Sequence, residues 1–95
     1  MASRYLVELA PPPGGWQALQ HVASRARDGA EELSREGLAV RFLRSIFVPE
    51  EEICFFLYEA ESVASVNEAG RRAQLQILRI DETLHAEPGE PPTVS

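Results

Sequence analysis

The side chains best suited to bind a ligand lie in the segment from residue 44 to residue 59. Arg44 interrupts an apolar run with a planar guanidinium, which can hold a carboxylate or point into a cavity. Phe56 and Tyr58 offer aromatic surface with one hydroxyl, and Glu59 offers a carboxylate that becomes an acid or base when partly buried. We predict these four as candidate ligand-binding residues. Ion pairing and core packing are their structural alternatives.

The other residues with chemical potential form no coherent set. Cys54 is the only cysteine, which excludes an internal disulfide, and its apolar neighbours favour a packed thiol. His21 and His85 are far apart in the chain and lack partners at metal-ligand spacing. The acidic run 50–52 follows Pro49 and is typical of a solvated turn. No phosphate loop or Ser-His-Asp pattern is present, so we predict no metal and no cofactor and assign no catalytic residue.

Composition narrows the class of protein. The chain has 95 residues, which suits one domain, and it carries 15 acidic residues against nine basic ones, all of them arginine. A net charge of −6 argues against a nucleic-acid partner, because a phosphate backbone needs clustered cations. No apolar run is long enough to span a bilayer, and the first ten residues lack the layout of a signal peptide. We therefore expect no membrane association and a cytoplasmic location.

Hydrophobic periodicity predicts six elements in one domain over residues 1–86, followed by a flexible tail over 87–95. A Pro-Gly loop ends the first strand, Gly37 closes the first helix, and Ser62 caps the second. The predicted elements are a strand over 4–9, a helix over 16–35, strands over 38–48 and 53–60, a helix over 63–73 and a strand over 75–84.

The order βαββαβ predicts an α+β, ferredoxin-like fold, with a four-stranded antiparallel sheet and both helices on one face. In the predicted strand over 38–48, strict alternation divides the side chains between two faces. One face carries Val40, Phe42, Arg44, Ile46 and Val48, and the other carries Leu43 and Phe47. The strand over 53–60 is also apolar on both faces. Because two helices cover one face only, we predict a homodimer packed sheet to sheet, a dimeric α/β-barrel-like assembly.

Three segments, 41–45, 57–60 and 66–73, together with 4–8 and 79–80, resemble a small bacterial domain family of unknown function that includes a nickel-binding protein. The resemblance implies a ferredoxin-like fold, homodimerisation and, in at least one member, a bound metal. It also implies that a histidine, a cysteine and a second histidine hold the metal. Those positions are Arg44, Phe56 and Ala69 here, and none of these side chains ligates nickel. We therefore expect the fold and the dimer without the metal.

Two functions stay open at this point. The first is a small dimeric binding or accessory protein without catalysis, with a small apolar ligand held between sheet and helices or at the dimer seam. The alternative is a cofactor-independent enzyme resembling small monooxygenases or isomerases, in which Arg44, Tyr58 and Glu59 would be the polar groups of an apolar pocket. The lack of a coherent catalytic set favours the first.

Overall fold

A computed structural model describes residues 2–83 of the chain. It confirms the predicted order of elements and the ferredoxin-like fold: one antiparallel sheet of four strands, in the order β2-β3-β1-β4, with two helices. The elements are β1 (Ser3–Leu9), α1 (Gly15–Arg35), β2 (Val40–Val48), β3 (Ile53–Ala60), α2 (Val63–Arg72) and β4 (Ile77–Thr83). His85, the end of the predicted last strand and the predicted tail lie outside the described residues. Neither described helix combines the length and hydropathy needed to cross a membrane.

Both helices pack on the same face of the sheet, which we name the helix side. Alternate residues of β1 and β3, such as Val7, Phe56 and Tyr58, are completely buried there. Leu19 and Leu33 of α1 belong to the same core cluster. The opposite surface, which we name the open face, is covered by neither helix. The two-residue period of the strands therefore separates a closed core from a partly exposed surface.

The ends of the helices follow local sequence signals. Gly37 has a φ of 97°, and the Leu38 amide donates to the Leu33 carbonyl at 3.0 Å, as in a Schellman motif. The Ser62 hydroxyl accepts a hydrogen bond from the Ser65 amide at 3.3 Å, which caps α2. Both predicted boundaries are confirmed because these motifs depend only on neighbouring residues.

The strict alternation predicted for β2 is wrong. Phe42 pairs with Tyr58 and Arg44 with Leu57, so the intervening Leu43 has no partner on β3. This β-bulge adds one residue to β2 and reverses the faces after it. Phe42 and the downstream Phe47 consequently lie on the helix side, where both pack against the core. After the bulge, three residues of β2 lie on the open face, away from Phe42. They are Arg44, Ile46 and Val48.

The two helices meet at a glycine. A β-carbon added at Gly29 of α1 would lie 3.3 Å from the carbonyl oxygen of Ala69 on α2. Beside this contact, the guanidinium of Arg72 donates to Glu32 at 2.6 Å and to Glu36 Oε1 at 2.8 Å. A residue that lowers intrinsic helix stability is thus placed where α1 and α2 pack closely together.

Replacing Gly29 by leucine should lower the free energy of unfolding by about 2 kcal/mol, because the larger side chain forces the helices apart. Urea denaturation followed by circular dichroism measures this. The matched control is Asp28→Leu on the exposed side of the same helix, with an expected change within about 0.5 kcal/mol. Equal effects of the two variants would contradict close helix packing at Gly29.

Candidate functional site

The open face carries an apolar patch in its middle. The cross-strand register places Leu6 beside Leu57, and Phe55 beside Ile46. All of these side chains are at least partly exposed, Ile46 to 39%. The apolar patch, as we use the term, consists of Leu6, Ile46, Val48, Ile53, Phe55 and Leu57. No element within residues 2–83 covers it. A contiguous apolar surface of this kind is typical of a binding interface.

Charged side chains border the apolar patch, and most of them are paired. Glu59 lies opposite Arg41, whose guanidinium approaches its carboxylate to 3.3 Å, and Arg4 lies 3.9 Å from the same group. Two charges on this face differ from the rest. Arg44 on β2 and Glu8 on β1 form no ion pair with any residue in the described range. The open face therefore has a cation without an ion-pair partner toward one edge, Arg44, and an anion without one on the far side of the apolar patch, Glu8, which lies opposite the Asp81-paired Arg79.

Tyr58 is the one buried side chain of residues 2–83 whose polar atom has no hydrogen-bond partner. Its ring is completely buried on the helix side, 5.6 Å from the ring of Phe42 in an edge-on arrangement. Burial raises the pKa of the Tyr58 phenol because the ionised form would lose its hydration. The hydroxyl thus stays protonated in alkaline solution in which an exposed tyrosine would ionise.

The four predicted ligand-binding residues are divided between the two faces. Phe56 and Tyr58 are buried on the helix side, whereas Arg44 and Glu59 lie on the open face. Neighbouring residues of a strand point in opposite directions, which separates Tyr58 from Glu59, and the bulge at Leu43 directs Arg44 away from the core. No single pocket formed by residues 2–83 can contain all four, because the sheet separates the two pairs. Their role in ligand binding stays a prediction.

A groove that the sequence did not reveal lies between α1 and β2, an edge strand of the sheet. It encloses about 420 Å³. We name it the α1–β2 groove; it is lined by Arg27, Ala30, Glu31, Ser34, Arg35, Val40, Arg41 and Phe42. Periodicity assigns Arg27 and Arg35 only to the charged side of an amphipathic helix. Nothing in their spacing shows that an edge strand runs alongside, so the groove could not be predicted.

The polar residues considered for metal or redox chemistry are dispersed. Cys54 is completely buried, as predicted, and burial raises the pKa of its thiol. His21 is exposed on α1. Within residues 2–83, no three His, Cys, Asp or Glu side chains are grouped to hold a metal ion.

A scan against models of protein families found no match, and a search of curated proteins found none either. Among solved structures, the chain is similar to SCO4226 from Streptomyces coelicolor A3(2), known from a crystal structure analysis. The two share 19% sequence identity, and the match covers 90% of this chain and 100% of that chain with a TM-score of 0.69. At this identity the likeness shows the fold alone. The resemblance to a family with a nickel-binding member stays a prediction.

Replacing Tyr58 by phenylalanine should raise the free energy of unfolding by about 1 kcal/mol, because it removes a buried hydroxyl without a partner. The matched control is Tyr5→Phe at the cross-strand neighbour, which should bring no gain. Urea denaturation at pH 7 compares the two. If Tyr58→Phe lost more stability than the control, the result would contradict a Tyr58 hydroxyl without a hydrogen-bond partner.

The same pair of variants should differ in how the free energy of unfolding depends on pH. An unfolded tyrosine ionises near pH 10, whereas the folded Tyr58 keeps its proton because burial raises its pKa. Above about pH 10 the unfolded state therefore binds fewer protons than the folded state, and the free energy of unfolding falls as pH rises. The fall should be smaller in Tyr58→Phe than in Tyr5→Phe.

Proposed function

We propose that the protein is a small homodimeric binding protein of the cytoplasm that holds a small organic ligand and catalyses no reaction. Two copies pack through their open faces in a dimeric α/β-barrel-like assembly. The observation that carries this proposal is the apolar patch, because no element of the described chain covers it. Water contact with Phe55, Leu57 and their neighbours is unfavourable, and a second identical sheet removes it from both copies at once.

Charge complementarity supports a second copy as the occupant of the open face. Arg44 and Glu8 have opposite charges, lie on opposite sides of the apolar patch, and lack ion-pair partners within the described residues. In a twofold assembly every contact occurs twice with the roles exchanged. A pairing that places β2 of one copy across β1 of its partner therefore compensates both charges in both copies.

The separation of polar groups favours binding over catalysis. The alternative enzyme requires Arg44, Tyr58 and Glu59 in one pocket, since a general acid or base must reach the reacting group. Tyr58 lies beneath the helices, whereas the other two lie on the open face. Arg44, Phe56 and Ala69 occupy the positions at which the resembled family would hold its metal, so the proposal includes no metal ion.

Replacing Phe55 by aspartate should raise the dimer dissociation constant roughly 100-fold, because a carboxylate whose cross-strand neighbours are Ile46 and Glu8 would be buried in the seam without a cationic partner. Sedimentation velocity over a range of concentrations measures the equilibrium. The matched control is Leu38→Asp, at an exposed leucine outside the sheet, which should leave the dimer intact. A wild-type protein that stays monomeric at about 0.1 mM would have a dissociation constant above that concentration, which would overturn the dimer.

The pairing of Arg44 with Glu8 is tested by charge reversal. Arg44→Glu alone and Glu8→Arg alone should each raise the dissociation constant roughly tenfold, since each places like charges together. The double variant restores opposite charges and should recover most of the wild-type affinity. A double variant weaker than either single variant would show that these side chains do not face each other.

A further inference from the structure

We propose that the α1–β2 groove binds a small aromatic carboxylate, with Arg27 and Arg35 at its carboxylate and Phe42 against its ring. The proposal rests on the small-molecule-binding function proposed above and adds the position of the site and the class of ligand. It uses residues of one protomer only, so it does not depend on the arrangement of the dimer.

The charge of the groove favours an anion. Three arginines and one glutamate line it, in a chain whose net charge is −6. Arg41 is already engaged by Glu59 at 3.3 Å. Arg27 and Arg35, by contrast, form no ion pair with any residue in the described range. Planar guanidinium groups bind carboxylates through paired hydrogen bonds, so these two arginines are suited to one carboxylate of a ligand.

Glu31 lies on the same wall and limits the negative charge of the ligand that the groove favours. With Arg41 engaged by Glu59, the charges of Arg27, Arg35 and Glu31 leave one net positive charge in the groove. A single carboxylate neutralises that charge, whereas a phosphate monoester would leave an excess negative charge next to Glu31.

The floor of the groove favours an aromatic body. Phe42 is held edge-on against Phe56 at 5.1 Å and against Tyr58 at 5.6 Å, so its ring is fixed by core packing. The guanidinium of Arg27 lies 5.6 Å from the centre of the Phe42 ring, which keeps the cation close to an aromatic surface. A ligand ring that packs against Phe42 would bring its own carboxylate within reach of that guanidinium.

The remaining walls are apolar or already hydrogen-bonded. Ala30 and Val40 are buried, and the Ser34 hydroxyl donates to the Val40 carbonyl at 2.7 Å, so it does not need a ligand. The volume of about 420 Å³ lies within the range of small-molecule sites. One or two fused rings with a carboxylate fit this space.

The test uses the full chain with 2-naphthoate as the probe and 2-naphthalenemethanol as its neutral counterpart. Isothermal titration should give a dissociation constant below about 1 mM for the acid and at least roughly tenfold weaker binding for the alcohol. Amide chemical shifts should change at residues 27–35 and 40–42. Arg27→Gln and Arg35→Gln should each weaken binding of the acid about tenfold.

The matched control is Arg71→Gln, at an exposed arginine of α2 that pairs with Glu68 outside the groove, and it should bind like the wild type. The proposal is overturned if the alcohol binds as well as the acid, or if both groove variants retain wild-type affinity. Tighter binding of 2-naphthyl phosphate would overturn the monoanion preference.

The outcomes also separate this inference from the proposed function. If 2-naphthoate binds but shifts only amides of the open face, the groove is overturned and a small-molecule function stands. If 2-naphthoate does not bind while other compounds of a thermal-shift panel stabilise the dimer, the groove proposal is likewise overturned and a small-molecule function stands. A panel without any stabilising compound would overturn both.

Discussion

Helices α1 and α2 pack against alternate residues of β1 and β3, and this packing on one face is the constraint on which the other features depend. Residues such as Val7, Phe56 and Tyr58 lose all contact with water there. A chain of this length forms two helices over a four-stranded sheet, and both lie on the same side. The alternate residues of the same strands must then point outward, and many of them are apolar.

The bulge at Leu43 decides what β2 contributes to each surface. Upstream of it, Val40 and Phe42 complete the core and form the floor of the α1–β2 groove. Downstream of it, Arg44 and Ile46 lie on the open face. One strand thus connects the surface proposed for the dimer with the site proposed for the ligand. Any change in the pairing of β2 with β3 would alter both.

Polar groups on the two sides of the sheet have different energetic roles. On the helix side, Tyr58 keeps a buried hydroxyl without a partner, which lowers stability and marks the aromatic cluster beneath the groove. On the open face, the ion pair of Arg41 with Glu59 remains partly hydrated and contributes little to stability. Within residues 2–83, Arg44 and Glu8 form no ion pair, and the proposed dimer would supply their partners.

The sequence alone determined the order of the elements, the cap at Ser62, the helix end at Gly37 and the two faces of β3, because each depends on residues close together in the chain. It also showed that the sheet has more apolar surface than two helices can cover. Only the tertiary structure decided the rest. The bulge at Leu43 arises from pairing between β2 and β3, the close approach at Gly29 from contact with α2, and the groove beside Arg27 from the position of an edge strand. These features depend on residues distant in sequence, whose relative placement is set by packing of the whole domain and not by local periodicity.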